Sequence, residues 1–506
     1  MSEKESKKGN SIDKVATGAG VLLPATIVGT VLLLVHDMLV NGVLTNHDYG
    51  AYTTCKRILQ IGFLISFLGL ENAVIRFVAS AKERGNSEEA IGAWQKAQIW
   101  SLGVGGVLAA LLAVFSNPLA GLFPDTGSQD TIAYALRGLA VCLPLAAVRM
   151  MSTSASQGLL VMWPKAIALQ VAWPLVNIVL VGALCIVGDM RLGGVILAYD
   201  VSMLVGALIG LWSLKRIEPA MLRQRQMPAI DSRALWSFAA PLWVYGIVNA
   251  AYAWVDHLLL AKMEGLEAAG IYGPVATIAP LFAIGLMALN GIFAPVISGL
   301  HASNQRGEMV RVYRVVARWS LTLALPVCLG AMLVPGAVIG IWPNGHPDAE
   351  LPLQIIALSY IFPVAVGSVN YVLIMTGHQR QVLWAGIPGI FVNVGLALWL
   401  IPDHGVVGAA IANGAALIFI SAVACVQLWV LLRIHPFSVG MFRPIAAAVP
   451  AFLSGGTAAS ILPSSASVFL VIAITGLSFA LVYAFVLWML GVPAEDREMW
   501  RRFRER

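Results

Sequence analysis

The chain has 506 residues, 59% of them hydrophobic and only 11% charged, with a mean hydropathy of +0.82. A soluble domain carries roughly twice that share of charge to cover its surface, so a water-soluble globular fold is excluded. The net charge of +6 is confined to particular connections, which argues against a nucleic-acid surface.

The sequence is a series of apolar runs, each long enough to cross roughly 30 Å of hydrocarbon. In lipid such runs must be helices, because every backbone N–H and C=O has to pair within its own segment. In chain order they fall near 15–41, 51–75, 93–116, 131–156, 163–187, 193–214, 235–261, 268–297, 315–341, 351–376, 382–401, 405–432, 441–462 and 467–490. The first is too long for the roughly 7–15-residue core of a signal peptide and is followed by no small-residue cleavage site. The expected fold is an all-α polytopic membrane protein of about 14 transmembrane helices. Cys55, Cys142, Cys185, Cys328 and Cys425 all lie inside apolar runs and read as small core residues, not a disulfide framework.

Charge sets the orientation. With the N-terminus placed in the cytoplasm, 25 of the 32 Lys and Arg fall in cytoplasmic segments, Arg149 and Lys165 among them. Two, Arg191 and Lys262, fall outside, and Lys56, Arg57, Arg76, Lys96 and Arg137 lie in or at the ends of spans. Both termini are therefore expected in the cytoplasm. The basic tail Arg497–Arg506 fits a positive-inside and anionic-lipid signal.

The halves repeat. Gly50-Ala51-Tyr52 matches Gly270-Ile271-Tyr272 at an offset of 220, where His36-Asp37 also falls on Asp256-His257. Trp100-Ser101-Leu102 falls on Trp319-Ser320-Leu321, and Pro144 on Pro363, at an offset of 219. Pro118 to Pro124 resembles Pro335 to Pro343. A duplicated six-helix unit follows, and six is even, so the two lobes are parallel with a cavity expected between them. The expected organisation is a cytoplasmic tail 1–14, an N-lobe 15–214, a basic linker 215–234, a C-lobe 235–432, two extra helices in 433–490 and a basic cytoplasmic tail 491–506.

Three stretches carry a family resemblance: Asp48-Tyr49-Gly50-Ala51-Tyr52, Ala73-Val74-Ile75-Arg76-Phe77-Val78, and Asp256-His257-Leu258-Leu259-Leu260-Ala261-Lys262 running on to Gly270-Ile271-Tyr272. Spans 1–12 resemble, in order and spacing, the polysaccharide transporters, the Wzx-type flippases of lipid-linked oligosaccharides. These belong to the multidrug/oligosaccharidyl-lipid/polysaccharide exporter superfamily, with MATE drug exporters and MurJ-type lipid II flippases. The chain departs from the family pattern at Gly42, at Thr45-Asn46 and at Leu266. The resemblance implies a MATE/MurJ-like fold in a bacterial cytoplasmic (inner) membrane, alternating access, no cofactor and no catalytic or metal residues. It implies an anionic lipid-linked glycan as substrate, with membrane lipids and glycan polymerase or assembly proteins as partners, and monomeric function.

A charge inside a span costs about 2.5–3.5 kcal/mol on insertion scales, so each should face a cavity, a partner or water. Lys56 and Arg57 in span 2 and Arg137 in span 4 share one outer depth and form a candidate cationic substrate site for a pyrophosphate; the bland reading is snorkelling to head groups. Gln60 follows Lys56 by four residues and shares its face. His36, Asp37, Asp200, Asp256 and His257 are candidates for ion coupling or a polar cavity, against satisfied pairs that pin two symmetric turns. Glu71 and Arg76 at the cytoplasmic end of span 2 are candidates for a gate, against an interfacial role. Buried amides read as interhelical glue, and Pro144, Pro274, Pro280 and Pro363 as kinks.

These features fit a flippase. The alternatives are a MATE-like ion-coupled small-molecule exporter and, in a different class, a membrane enzyme of glycan assembly. No D-x-D, H-E-x-x-H, G-x-S-x-G or Walker motif supports an enzyme or ATP use. The charge count makes a topology prediction. Reporter fusions after residues 45, 126, 190, 346 and 464 should read external, and those after 86, 225, 305 and 500 cytoplasmic. Inversion at one interior connection would remove a span and break the repeat.

Overall fold

The computed structural model describes residues 25–26, 28–123, 126–187, 191–224, 231–463 and 465–491. The expected tail 1–14, residues 15–24 of the first span, 225–230 of the linker and 492–506 of the basic tail lie outside the described residues. The described chain is helical, with no strand. Its first half comprises α1 Val28–Val43, α2 Asn46–Phe67, α3 Leu70–Glu83, α4 Ser87–Val114, α5 Ser116–Ala120, α6 Thr126–Ala140, α7 Cys142–Gly158, α8 Trp163–Cys185 and α9 Arg191–Ile217. There follow α10 Ser232–Met263, α11 Gly265–Ile278, α12 Ile284–Ala302, α13 Arg306–Leu333, α14 Pro335–Ile339, α15 Glu350–Val366, α16 Val369–Met375, α17 Gln379–Leu432, α18 Phe442–Ile461 and α19 Val468–Met489.

Among the described residues, 12 helices are long and apolar enough to cross a membrane. The longest, α17, contains Gly405 at φ 51 and ψ −124, a backbone that no helix continues through, and so counts as two spans. With α1, shorter at its described end, the count reaches about fourteen, in the order expected. Polar caps start the helices where the chain turns. Thr45 Oγ1 accepts the Asp48 N–H at 3.1 Å at the start of α2, and Asn86 and Ser467 serve α4 and α19 in the same way.

The duplication extends to helix boundaries. Helices α4 and α13 are both 28 residues long, starting at Ser87 and Arg306, an offset of 219. The short helices α5 and α14 repeat at the same offset, as do the starts of α2 and α11. Both copies then break their second span, by different means. Leu68 (φ 56) and Gly69 (φ 70) turn left-handed between α2 and α3, whereas a 3-10 turn, Ala279–Ala283, containing Pro280, separates α11 from α12.

The chain divides into two compact units, Met1–Ala251 with Gly265–Gly270, and Tyr252–Glu264 with Ile271–Arg506. Within the first, backbone meets backbone where α2 crosses the start of α11. A Cβ on Gly50 would lie 1.7 Å from the Leu266 carbonyl oxygen, and one on Gly270 would lie 2.1 Å from that of Asn46. Farther along, Trp243 Nε1 donates to the Leu64 carbonyl at 3.0 Å, and Gly69 makes room for the Ala239 carbonyl. In the second unit, Leu321 and Leu325 of α13 pack with Ala447 and Ala451 of α18 and with Phe479 and Tyr483 of α19.

One assignment from the charge count is corrected. Arg149 is not in a cytoplasmic connection. It lies inside α7, nine residues before Gly158, or roughly 13 Å along the axis at 1.5 Å per residue. It is 9% exposed, with Gly206 of α9 leaving space for its Cδ.

The glycine crossing yields a stability prediction. Gly50→Ala puts a methyl group on a carbonyl oxygen, so a helix must shift, at a cost of about 1–3 kcal/mol. The melting temperature in detergent and the amount in the membrane should both fall. Gly103→Ala, with nothing within 4 Å of its added carbon, should match wild type. Equal stability of the two variants would disprove the close crossing.

Candidate functional site

Inside the first unit, five helices, α1, α2, α7, α8 and α9, bring polar and aromatic groups together. On α2, Tyr49, Tyr52 and Lys56 are spaced i, i+3 and i+7 and share a face. The Tyr49 hydroxyl donates to Asp37 Oδ2 at 2.7 Å, and both side chains are buried. Lys56 Nζ lies 5.5 Å from the centroid of the Tyr52 ring, a cation–π contact. The charges of Asp37 and Arg57 also act on Lys56. Arg57 Nη1 donates to Gln60 Oε1 at 3.2 Å, so Gln60 helps orient Arg57.

Aromatic contacts run on from Tyr52. Its ring meets Tyr199 of α9 edge-on at 6.4 Å, Tyr199 meets Trp173 of α8 at 5.5 Å, and Trp173 meets His36 of α1 at 6.0 Å. Beside Tyr199, Asp200 Oδ1 accepts from the Cys142 thiol at 2.8 Å. Asn177 donates to Ser202 Oγ at 3.1 Å. The Arg149 charge acts on Cys142 and Tyr199. The hydroxyls of Tyr52 and Thr54 and the Trp173 indole N–H are buried with no protein hydrogen-bond partner. Buried donors of this kind are where water or a ligand group bonds. The cluster thus offers cations for an anion, carboxylates that keep the field mixed, and aromatic planes.

Arg137, on α6, has hydrogen-bond partners outside the cluster around Lys56. It shares the exposed face of α6 with Tyr134, while the Ile132 carbonyl takes the Cys55 thiol contact. Its Nε donates to Ser116 Oγ and its Nη2 to Asn117 Oδ1, both at 2.7 Å. Glu71 and Arg76 lie past the Leu68-Gly69 break. Arg76 stacks over Phe238 at 4.4 Å, and Glu71 accepts from Asn72 at 3.1 Å and interacts electrostatically with Lys165.

The second unit repeats the acid–tyrosine pair without the cations. Tyr272 donates to Asp256 Oδ2 at 2.8 Å and its ring lies 6.1 Å from that of His257. Asp256 and His257 are buried. At the offset of 220, Lys56, Arg57 and Gln60 become Ala276, Thr277 and Pro280. Among the described residues no group of three or more His, Cys, Asp and Glu side chains could hold a metal ion.

Sequence reasoning missed Trp173, Tyr199 and Arg149 and the pairing of Cys142 with Asp200. Only the i, i+3, i+7 spacing of Tyr49, Tyr52 and Lys56 was there to be read.

Comparison with known proteins places this geometry. A family model described as polysaccharide biosynthesis protein matches residues 15–301, more than half of the chain. A probable flippase, AglR, from Haloferax volcanii is 24% identical over 260 residues, covering 50% of this chain and 52% of that protein. The chain therefore aligns with about half the length of this curated relative. Among solved structures, the lipid II flippase MurJ in an inward closed conformation superposes with a TM-score of 0.72 at 10% identity, over 93% of this chain and 98% of that one. An inward-facing multidrug resistance MATE family transporter of the MOP superfamily superposes with a TM-score of 0.69 at 15% identity, over 85% and 98%. The fold is that of these transporters, and the chain, a multi-pass membrane protein, belongs to the polysaccharide biosynthesis protein family.

Proposed function

We propose that the chain flips an isoprenoid-pyrophosphate-linked oligosaccharide from the cytoplasmic to the outer leaflet of a bacterial cytoplasmic membrane, by alternating access and without catalysis. The observation that carries this reading is the pair Lys56 and Arg57, held on α2 within a polar and aromatic cluster of a membrane helix unit. A lipid-linked glycan presents a pyrophosphate, an apolar chain and a hydrophilic sugar portion. Lys56 acts on the phosphate as a point charge and Arg57, aimed by Gln60, as a fork. Asp37 beside Lys56 limits the net attraction, so that the anion can leave as well as enter. Both termini are cytoplasmic in this scheme, Glu71 and Arg76 lie at the cytoplasmic gate, and glycan polymerase or assembly proteins take up the product.

A second reading, a MATE-like ion-coupled exporter of small molecules, is favoured by the buried acid–tyrosine pairs Asp37–Tyr49 and Asp256–Tyr272. In the flippase reading the same carboxylates serve coupling or structure, with Asp200 beside them.

A null strain tests the flippase reading against a synthetic enzyme. It should lose the surface glycan and accumulate lipid-linked repeat units on the cytoplasmic side while synthesis of the unit continues. Loss of glycan with no accumulated intermediate would point to a synthetic enzyme.

Single substitutions address the site. Lys56→Ala and Arg57→Ala each remove a charge-assisted contact of about 1.5–3 kcal/mol, so flipping in reconstituted vesicles should fall roughly tenfold or more. Abundance should hold, because loss of an intramembrane cation eases insertion. Arg57→Lys should do less harm than Arg57→Ala if charge matters, and equal harm if the fork matters. In a Cys-free background, cysteines at 56 and 57 should react with a membrane-impermeant thiol reagent in at least one transport state. Unreactive cysteines together with normal flipping by the alanine variants would remove the cationic site.

A further inference from the structure

Arg149 carries a charge that no acid among the described residues pairs with. It sits inside α7 and is 9% exposed. Its Nε is buried with no hydrogen-bond partner. The groups that act on its charge are the Tyr199 hydroxyl and the Cys142 thiol, neither of them a carboxylate. Asp200, the acid on the facing helix α9, accepts from the Cys142 thiol instead. Packing makes room for the side chain: a Cβ on Gly206 of α9 would lie 2.8 Å from Arg149 Cδ. An uncompensated cation in a low-dielectric interior is strongly destabilising, so its presence points to a partner that the chain itself does not carry.

The duplication shows that the position needs no charge for packing. At the offset of 219 that pairs Pro144 with Pro363, Arg149 falls on Ser368, whose hydroxyl donates to Asn290 Oδ1. The second unit thus holds a neutral, hydrogen-bonded pair where the first holds an unpaired cation. Contacts along α7 fix the level of Arg149. A Cβ on Gly62 of α2 would lie 2.8 Å from Leu143 Cδ2, and one on Gly158 would lie 2.8 Å from Val78 Cβ of α3. Arg149 lies between Leu143 and Gly158, hence beyond the level of Gly62, which is itself six residues past Lys56 on α2. At 1.5 Å per residue the backbones of the two cations stand at least roughly 9 Å apart in depth. Helix α4 turns back after α3 and brings Gly105 against the Leu143 carbonyl, whose oxygen is 3.2 Å from where its Cβ would lie. Six residues along each helix from that contact, Gln98 and Ser101 of α4 come within a turn of the level of Arg149. The Gln98 amide, Ser101 Oγ and, on α7, Ser152 Oγ are also buried with no protein hydrogen-bond partner.

We propose that Arg149 is a second anion-binding position of the first unit, which takes an oxyanion of the transported glycolipid, with the amide and hydroxyls at its level available to sugar hydroxyls. The proposal rests on the flippase reading and deepens it by a position separate from Lys56 and Arg57. In the orientation set by the charge count, Arg149 is nearer the cytoplasm than Lys56, so cargo meets it first. A guanidinium fork takes the oxygens of a phosphate or a carboxylate in bidentate fashion. The oxyanion is the lipid pyrophosphate on its way to Lys56, or the carboxylate of an acidic sugar held while the pyrophosphate rests at Lys56.

The test uses the full chain in phosphatidylcholine nanodiscs and two probes: bare polyisoprenyl pyrophosphate, and the same lipid carrying an oligosaccharide with one uronic acid. In Arg149→Gln, affinity should fall at least roughly tenfold for one or both probes, and Arg149→Lys should keep part of it. A fall for the bare lipid assigns the oxyanion to the pyrophosphate, and a fall for the uronic acid lipid alone assigns it to the sugar. The melting temperature of lipid-free Arg149→Gln should equal or exceed that of wild type, because an uncompensated buried charge is removed. In wild type, phenylglyoxal should modify Arg149, and one or both probes should protect it where neutral polyisoprenol and chloride do not. Unchanged affinity for both probes in Arg149→Gln overturns the proposal. Where that variant does not fold, a wild-type Arg149 that neither probe protects overturns it, as does equal protection by chloride. Affinity lost in Lys56→Ala or Arg57→Ala but unchanged in Arg149→Gln overturns the second position and leaves the flippase reading standing, whereas no binding of either probe by wild type removes both.

Discussion

Hydrocarbon leaves no polar group unattended, and this constraint shapes the first unit more than any other. Asp37 is buried on α1 and can stay there because Tyr49 reaches it from α2 at 2.7 Å, with Lys56 within electrostatic range. Asp200 accepts the Cys142 thiol, and Arg149 has Cys142 and Tyr199 beside it. Asp37–Tyr49 joins α1 to α2, and Cys142–Asp200 and Arg149–Tyr199 join α7 to α9. The charged residues therefore help fix how α1 stands against α2 and α7 against α9, while Trp173 and Asn177 tie in α8, and the same arrangement leaves a mixed-sign polar interior. Stability and function draw on one set of side chains here, so a substitution needs a folding readout beside every transport readout.

The close crossing at Gly50 and Gly270 sets a second condition. Interhelical packing in lipid gains little from burial of apolar surface, so small residues that let backbones approach are the main source of specificity. A carbonyl oxygen where a Cβ would otherwise stand leaves no alternative to glycine at either position. That crossing holds α2 at the level of Tyr49 and Tyr52, one to two turns from Lys56. The cationic group thus projects from a helix whose position is set by backbone contact, and local side-chain repacking has little freedom to move it.

The spans were legible in the sequence because length and composition alone decide what can cross a bilayer, and the duplication was legible because equal offsets survive divergence. The site was only partly legible. The offset of 220 pairs Tyr52 with Tyr272, yet the buried acids are bonded by Tyr49 in one copy and Tyr272 in the other. Between the copies the acid moves back one position and the tyrosine forward three, close to one helical turn. The chemistry is retained while the residues that perform it shift along their helices, and a linear alignment cannot follow that. Asp200 and Cys142 lie 58 residues apart on neighbouring helices, and only packing brings them together. Arg149 was misplaced for a related reason: a cation toward one end of a span reads as interfacial until the helix is seen to continue nine residues beyond it. Arg137 showed the converse, since an outer depth shared with Lys56 says nothing about which face of α6 it occupies.

Divergence after duplication is where the two copies acquire separate tasks. Each keeps a buried acid–tyrosine pair, the element needed to anchor its first two spans. Only the first keeps cations on the second span, where the second has Ala276 and Thr277. Only the second is flanked by two more helices, whose core runs through Leu321, Leu325, Phe479 and Tyr483. A symmetric pair of lobes would present an anion with two equal sites and no preferred one. With Lys56 and Arg57 on one unit alone, only the first copy can offer that charge to an anion. In the proposed flippase reading, cations on one unit alone also let a bound anion favour one access state over the other, since a ligand held equally in both states shifts neither.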